Sequence, residues 1–369
     1  MPIYMDRHDV SEKVTAEIVA QLHQQDLKIQ HNFQCRGLTY WFDDRRKTAF
    51  CLIEAPNKEA IEQMHGSAHG EVPNEIIEVD PLVVESFLGR ISDPKQIGEG
   101  PLNVISESAL RTLMMVGFDD WASLHAEKTG EDVNIPACMN LLIPIFQKFG
   151  GRVVKTFRTS YLVSFQSVTQ TILCALELYS GIVEWGKKAN CAPIRLKTGI
   201  SAGVPVSGNR ELFEEAEKEA RMLHDISENN IVVSADVKSL YEEENPDAYL
   251  EHELFVSLSP TDQKFLYPLM DYIAETWQNP YLKVEDLGKN LGYSKSQFYR
   301  KMVSLVGETP NNFIKNYRLR KAAKRIRRQS GNIAEIAYET GFNSPSYFSK
   351  CFLRKYGILP SEYLQQALV

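Results

Sequence analysis

A helix-turn-helix pattern occurs twice near the C-terminal end of the sequence, in residues 284–302 and again in residues 333–352. In each copy the apolar periodicity of a helix stops at a glycine, Gly292 or Gly341. Glycine adopts the left-handed backbone of a tight turn more easily than any other residue. An aromatic residue follows at once, and then a serine, which is a good N-cap for a second helix. The doubled pattern therefore constrains this end of the chain to an all-helical fold.

The second helix of each copy has apolar side chains at helical spacing along one face. We predict that this face is buried and that the opposite, polar face is free. The predicted buried residues are Phe298, Met302 and Leu305 in the first copy and Phe348, Phe352 and Tyr356 in the second.

Basic charge is concentrated at the same end of the chain. The whole chain has 41 Lys and Arg residues against 48 Asp and Glu, a net charge of −7. Residues 265–369, in contrast, have 16 basic and 8 acidic side chains, and seven of the basic ones lie between the two copies, in residues 318–328. DNA carries one negative charge per about 1.7 Å of its axis, so this segregation favours a DNA-binding region over simple solvation of one helix.

This C-terminal region resembles the AraC/XylS family of bacterial transcription regulators over about residues 268–365. The residues that carry the resemblance are Gly341, Phe342, Tyr347, Phe348, Phe352, Gly357, Pro360 and Tyr363. Leu364 stands where the family usually has a basic residue. The resemblance implies two three-helix subdomains, joined by a linker helix at about residues 310–328. That helix would hold two recognition helices in successive major grooves of one duplex, about 34 Å apart.

Candidate DNA contacts lie on the free faces of the two recognition helices and on the linker helix. The residues predicted to reach base edges are Ser296, Gln297, Tyr299, Arg300, Ser346, Ser349 and Lys350. Those predicted to contact phosphates, which set register without reading sequence, are Lys301, Lys315, Arg318, Lys350 and Arg354. Arg300 is the sharpest candidate because a guanidinium can bond O6 and N7 of guanine together. A phosphate contact is the alternative for Arg300.

Residues 1–80 follow a βαββαβ pattern, which predicts a ferredoxin-like sandwich. The predicted strands are residues 3–8, 36–42, 48–54 and 75–79, and the predicted helices are residues 15–32 and 58–69.

Histidine is concentrated in this N-terminal unit, which holds five of the eight histidines of the chain. His65 and His69 stand four positions apart on a predicted helix, so both imidazoles lie on one face, as a metal site requires. His8 is the third predicted metal ligand. The residues that can complete the site are His23, Asp26, Asp6 and Cys51. A solvated histidine pair and a dimerisation module are the competing interpretations.

Residues 1–80 also resemble a small ferredoxin-like family described as nickel-binding. The segments that carry the resemblance are residues 4–8, 38–42, 49–56, 65–69 and 75–80. The resemblance implies a site for nickel or another divalent transition metal, since imidazole ligands also suit zinc, copper and iron.

Residues 81–108 contain Pro and Gly turn signals with little periodicity and are predicted to be a linker. Residues 109–258 form a second alternating pattern. Its predicted strands are residues 111–118, a hairpin through 152–165, 194–203 and 231–234, and its predicted helices are one ending near 148 and two at 167–186 and 212–226. The predicted fold class is multidomain α+β and all-α. Two ferredoxin-like α/β sandwich domains precede an all-α double helix-turn-helix domain, residues 259–369.

The middle unit resembles the class III nucleotidyl cyclases. The segments that carry the resemblance are residues 150–155, 162–165, 194–200 and 231–235. Active members of that family hold two metal ions with two aspartates. The resemblance places Gly117 and residues 157–159 (Phe-Arg-Thr) at the aspartate positions. Asp119 and Asp120 lie close to the first of these positions.

Two further positions bear on cyclase activity. Arg221 matches the family's transition-state arginine, but Glu217 stands where an asparagine is expected. A cyclase without its metal ligands should not turn over, so we predict a catalytically inactive sensor or dimerisation unit.

These patterns predict a DNA-binding transcription regulator with N-terminal metal or small-ligand sensing. The alternatives are a residual nucleotidyl cyclase or metal-dependent enzyme fused to a DNA-binding module, and a constitutive architectural protein without a ligand. The expected partners are double-stranded DNA, RNA polymerase and a second copy of the chain, with no membrane partner.

The remaining composition is that of an ordinary globular protein. The six cysteines include no Cys-x-x-Cys pair, so neither a disulfide framework nor a zinc knuckle is indicated. The sequence has no apolar run of membrane-spanning length and no signal-peptide pattern. We therefore expect the protein in the bacterial cytoplasm, at the nucleoid when it is bound to DNA.

Overall fold

Two β-sheets and a helical C-terminal region form the computed structural model of the chain. The structure describes residues 1–95, 102–118, 135–189, 195–208, 211–248, 250 and 253–366. Within these ranges, no helix combines the length and the apolar content that a membrane crossing requires.

The N-terminal unit is a four-stranded antiparallel sheet with two helices. Its strands are β1 (Ile3–Asp9), β2 (Arg36–Asp43), β3 (Thr48–Glu54) and β4 (Glu75–Val79), and its helices are α1 (Ala16–Ile29) and α2 (Lys58–Ala68). A 3-10 helix, Gln30–Phe33, extends α1. The strand order is β2-β3-β1-β4, and the predicted βαββαβ order is confirmed.

Both faces of this sheet are buried, because alternate side chains of a strand point to opposite faces. Tyr4 and Ile53 face α1 and α2. Met5, Trp41 and Leu52 point the other way, into a core that continues into the middle of the chain.

A short helix, α3 (Pro81–Leu88), lies within the predicted linker. Pro81 occupies its first turn, and Gly89, with a φ of 86°, ends it. Both residue types are typical of loops, but Pro at a helix start and Gly at a helix end are also ordinary. The side chains that α3 buries are Val84, Phe87 and Leu88.

The middle unit contains a six-stranded sheet with the order β10-β9-β8-β5-β7-β6. Its strands are β5 (Arg111–Phe118), β6 (Arg152–Thr156), β7 (Ser160–Phe165), β8 (Leu196–Gly203), β9 (Ile231–Val233) and β10 (Phe255–Ser257). Its helices are α4 (Ile135–Lys148), α5 (Val168–Ala189), α6 (Glu214–Ile226) and α7 (Ala235–Glu244). The sequence patterns do not predict α7 and β10.

Arg111, at the start of β5, ties α3 to this second sheet. Its guanidinium donates to the carbonyl oxygens of Phe87 and Leu88, at 3.2 and 3.1 Å, and to the carboxylate of Glu107 at 2.7 Å. The two carbonyls end a helix, and a cation satisfies such groups well. The N-terminal and middle units are therefore held together by a shared core and by this buried arginine.

The C-terminal region has seven helices among the described residues. They are α8 (Pro260–Thr276), α9 (Val284–Asn290), α10 (Lys295–Val306), α11 (Pro310–Arg327), α12 (Ile333–Glu339), α13 (Pro345–Tyr356) and α14 (Pro360–Gln366). They pack around two separate cores. The first core includes Met222, Leu223 and Ile226 of α6, whereas the second is made from α11 to α14 and adjoining turns.

Candidate metal centre and nucleic-acid interface

Three potential metal ligands meet between α1 and α2. His65 Nδ1 lies 3.1 Å from Asp26 Oδ1 and 3.3 Å from His69 Nε2, and His69 Nε2 lies 3.2 Å from the same Asp26 oxygen. Ligand atoms about 2.1 Å from one ion lie about 3.0 to 3.4 Å apart in octahedral or tetrahedral geometry. The three donor atoms therefore have the mutual spacing that a single divalent ion needs.

The other ring nitrogen of His65 is held by a second carboxylate. His65 Nε2 lies 3.0 Å from Asp6 Oδ2, and Asp6 Oδ1 accepts the backbone N–H of Cys51 at 2.9 Å. Both Asp6 and His65 are 1% exposed. A carboxylate on the far nitrogen of a ligating histidine fixes its ring orientation and its tautomer.

The titration behaviour of the cluster reflects this pairing. Burial alone would lower the pKa of His65, but hydrogen bonds with Asp26 and Asp6 raise it to about 10. Burial opposes the ionisation of Asp6 and Asp26 as well, yet the neighbouring histidines lower the pKa of both carboxyls. For Cys51, burial and the nearby carboxylates raise the pKa of the thiol well above its ordinary value. The cluster thus carries strong ionic pairing in a buried setting.

The other predicted ligands lie beside this triad. His8 groups with Asp6 and Cys51, and its Nε2 lies 3.4 Å from Asp6 Oδ1. His23 faces Asp93, with 3.8 Å between His23 Nε2 and Asp93 Oδ2. His8, His23 and Cys51 line the same cavity of about 280 Å³ as the triad. The i, i+4 spacing predicts that His65 and His69 lie close together, as they do. The neighbours of His8 and His23 depend on contacts across the fold.

Both predicted turns of the doubled motif are present. Gly292 and Gly341 have φ angles of 74° and 79°, in the left-handed region. Ser294 and Ser344 cap the following helices, α10 and α13, through their side chains. A Cβ at Gly341 would lie 2.8 Å from Arg318 Nε, so this turn also requires glycine for its close approach to α11.

The predicted buried stripes are confirmed with one change. Phe348, Phe352 and Tyr356 are fully buried in α13. In α10 the buried residues are Phe298, Met302 and Val306, whereas Leu305 is half-buried. The stripe of α10 therefore runs in steps of four residues, and it winds slowly around the helix because four residues exceed one turn of about 3.6.

The opposite faces of both helices carry the predicted DNA-contacting residues. The exposed ones are Ser296, Gln297, Tyr299, Arg300, Ser346, Lys350 and Arg354, and Ser349 is half-buried. Gln297 also completes a capping box, because its Oε1 accepts the backbone N–H of Ser294 at 3.1 Å. Tyr347 on α13 is exposed as well. The sequence marks it only as a family landmark, although an aromatic residue directly before a buried Phe points toward the free face.

Three predicted phosphate contacts have partners inside the protein. Lys301 forms an ion pair with Asp262 of α8 at 2.9 Å, and Lys315 bonds Asn312 Oδ1 at 2.8 Å. Arg318 donates to the backbone oxygens of Trp277 and Asn279, each at 2.7 Å. Lys301 and Arg318 therefore stabilise the packing of helices. Charge patterns along the sequence cannot reveal partners that lie some forty positions away.

Two positions that the cyclase resemblance singles out can be located in the middle unit. A Cβ at Gly117 would lie 2.1 Å from the carbonyl oxygen of Thr159, so the strand has no room for a carboxylate side chain there. Arg221 Nη2 lies 3.0 Å from Glu217 Oε1, and Glu217 also pairs with Lys155 at 2.6 Å. Asp119 and Asp120, the remaining candidates for metal ligands, lie outside the described residues.

In comparisons with known proteins, family models match two parts of the chain. A family model described as a helix-turn-helix domain matches residues 287–366, and one described as nickel responsive protein SCO4226-like matches residues 4–79. The regulatory protein SoxS of Escherichia coli (strain K12) is 32% identical over 101 residues, which are 27% of this chain and 94% of SoxS. The chain spans between 8% and 40% of the length of the first six curated relatives that it matches.

Two solved structures are similar to parts of the chain. SCO4226 from Streptomyces coelicolor A3(2) is 32% identical, covering 21% of this chain and 94% of that chain with a TM-score of 0.20. An adenylate/guanylate cyclase/hydrolase from Silicibacter pomeroyi is 22% identical, covering 39% and 83%, with a TM-score of 0.31.

The match to nearly the whole of SoxS agrees with the doubled turn motif and its buried aromatic stripes. By its C-terminal region, this chain belongs to the AraC/XylS family of transcription regulators.

Proposed function

We propose that the chain is a sequence-specific DNA-binding transcription regulator whose N-terminal unit senses a divalent metal. One observation carries the DNA-binding part. The two recognition helices, α10 and α13, each bury an apolar face and expose a polar one, and the basic helix α11 joins them. The proposed partner is double-stranded DNA, with RNA polymerase and a second copy of the chain as further partners. Such a protein would act at the nucleoid in the cytoplasm.

The proposal divides the chain into residues 1–80, 109–258 and 259–369, with both front units ferredoxin-like. Support for the first comes from its strand order, β2-β3-β1-β4, with both helices packed on one sheet face. In this proposal the middle unit is catalytically inactive. The crowded Gly117 and the pairing of Arg221 with Glu217 support that part.

In the proposed sensor, Asp26, His65 and His69 hold the ion, and Asp6 orients His65. A bound ion would organise the facing sides of α1 and α2, on one side of the first sheet. The other side, with Met5, Trp41 and Leu52, packs into the core of α3 and the middle unit. A ligand changes DNA affinity only if it binds differently to DNA-competent and DNA-incompetent arrangements. The continuous core provides a physical route for that difference.

The proposed function is tested by selecting bound DNA from a random library with the full chain, with and without nickel chloride. We expect one enriched sequence with two half-sites about one helical turn apart. We also expect its affinity to change on addition of nickel. Failure to enrich any sequence would overturn specific DNA binding, whereas equal affinity with and without nickel would overturn only the metal-sensing part.

Arg300→Ala should relax discrimination at one base pair of the selected site by about 1 to 3 kcal/mol. The reason is that Arg300 is exposed on the free face of α10, where its guanidinium can reach a guanine edge. Lys315→Ala is the contrasting variant, and it should weaken binding to all sequences similarly. The measurement is a set of binding titrations against all four bases at each position. Equal loss across all bases for Arg300→Ala would make it a phosphate contact instead.

Asp6→Asn should lower nickel affinity by about 10- to 100-fold without removing a proposed ligand. The amide cannot hold the His65 ring with the charge of the carboxylate that now lies 3.0 Å away. Asp44→Asn, an exposed carboxylate in the hairpin of the same unit, is the matched control. Calorimetric titration with nickel chloride measures both variants. Unchanged affinity for Asp6→Asn would show that Asp6 does not orient the site.

A further inference from the structure

A cavity of about 660 Å³ lies where the middle unit meets the DNA-binding region. Its walls come from α6, from α8 and from one side of α11, together with the end of β8, the residues that follow it and the start of α7. Small-molecule sites typically have volumes of about 300 to 1,000 Å³. The cavity is separate from the histidine cluster, whose pocket is lined by other residues.

The charged groups around this cavity are mostly acidic, with five carboxyl groups and three basic side chains. Each basic group already has a neighbour that engages it. Lys218 pairs with Asp271 at 2.5 Å, which leaves four of the five carboxyl groups. Arg221 pairs with Glu217, which is not part of the lining, and Lys321 lies 5.1 Å from the ring centre of Tyr317. The balance of charge therefore favours a cationic ligand over an anionic one.

Glu219 is the carboxyl group best placed to hold such a ligand. Its Oε1 accepts a hydrogen bond from Gln263 Nε2 at 2.9 Å and another from the hydroxyl of Tyr267. Burial, reinforced by Asp236 and Glu215, raises the pKa of Glu219 to about 7. A nearby positive charge would stabilise the ionised form of this partly desolvated group.

The rest of the lining suits an apolar body. Tyr267 and Tyr317 contribute aromatic rings, and Met222 and Met270 contribute thioether side chains that adapt to varied shapes. The electron-rich face of the Tyr267 ring can attract an organic cation, whereas the ring of Tyr317 already faces Lys321.

We propose that this cavity binds a small organic cation with an apolar body, held by Glu219, and that its occupancy changes DNA affinity. The claim that occupancy changes DNA affinity rests on the proposed DNA-binding function. Tyr317 and Lys321 belong to α11, the helix that joins the two recognition helices. A ligand that contacts one side of α11 can favour one arrangement of the recognition helices over another.

Binding is tested with tetraphenylphosphonium, an apolar cation, and with tetraphenylborate, an anion of nearly the same size and shape. In calorimetric titrations of the full chain we expect tetraphenylphosphonium to bind about tenfold or more tightly than the anion. Glu219→Gln should lower the affinity for the cation by a similar factor, because it keeps the shape of the side chain but removes its charge. Glu275→Gln, an exposed acid on α8 outside the cavity lining, should bind the cation normally.

A second variant keeps the test decisive if Glu219→Gln folds poorly. Ala274 is an exposed residue of the cavity lining, so Ala274→Trp should fill part of the space and weaken tetraphenylphosphonium without altering any charge. Absence of cation binding, or equal binding of tetraphenylborate, would overturn the proposed site.

The regulatory half is tested on the selected DNA site. Tetraphenylphosphonium should change DNA affinity by about fivefold or more, and DNA should change the affinity for the cation by the same factor. Cation binding with unchanged DNA affinity would overturn the regulatory role. A chain that binds the cation through Glu219 but binds no DNA would refute the proposed function and leave the cation site standing.

Discussion

His69→Ala is expected to lower the affinity of the chain for nickel by about a hundredfold or more. Removing a residue that only orients a ligand already lowers metal affinity by about 10- to 100-fold, and this variant removes a proposed ligand itself. In the unaltered chain three donor atoms lie within 3.3 Å of one another. The variant keeps only those of Asp26 and His65, so a bound ion would have two ligands from this triad. Calorimetric titration of the full chain with nickel chloride gives the affinity directly.

The matched control is His31→Ala, which removes an exposed histidine of the same unit. It should bind nickel as the unaltered chain does. Ligands must be deprotonated to bind a metal, so affinity should also fall as the pH is lowered below the pKa of His65, which is about 10. If His31→Ala lowered nickel affinity as much as His69→Ala, surface histidines rather than the buried triad would be the binding groups.

Phe352→Ala is expected to destabilise the second helix-turn-helix by about 3 to 5 kcal/mol. Phe352 is fully buried, and its ring centre lies 4.5 Å from that of Tyr356 and 5.4 Å from that of Tyr363. The second core is built within α11 to α14 and adjoining turns, so its loss should unfold that part locally. Hydrogen exchange should show lost protection in α12 to α14 and retained protection in the front units, together with lost specific DNA binding.

Leu353→Ala is the control on the next position of the same helix. Leu353 is exposed, so its truncation should change stability by less than about 0.5 kcal/mol. Should Phe352→Ala lower protection evenly over the whole chain, the second core would not be an independent cooperative unit.

The sequence predicts regular elements well where the pattern is long and local. The strands Arg111–Phe118, Thr48–Glu54 and Glu75–Val79 match their predicted bounds. Elements that are short or framed by turn residues escape such a prediction. Helix α3 lies between Pro81 and Gly89, and β10 has only three residues, Phe255–Ser257, too few for a periodicity to appear.

The candidate sites show a similar division between local and distant information. The i, i+4 spacing of His65 and His69 is a property of one helix and can be seen in the sequence. The contact of Asp6 with His65 joins a strand and a helix, and the two residues lie 59 positions apart in the sequence. The ion pair of Lys301 with Asp262 and the cavity around Glu219 also require the packing of distant helices. For those groups the sequence shows which chemical groups are present, but it does not show which other residues they contact.

The first core of the DNA-binding region limits how this region can be transferred to another protein. Met222, Leu223 and Ile226 of α6, together with Val232 of β9, contribute to the core that also buries Phe265 and Phe298. A fragment that starts at Ser259 would contain both turn motifs but would lose this apolar cover. The same cut would leave the second core, around Phe352, whole. The second half of the DNA-binding region can therefore be transferred on its own, because its core is self-contained. The first half must be transferred together with α6, or its newly exposed surface must be made polar.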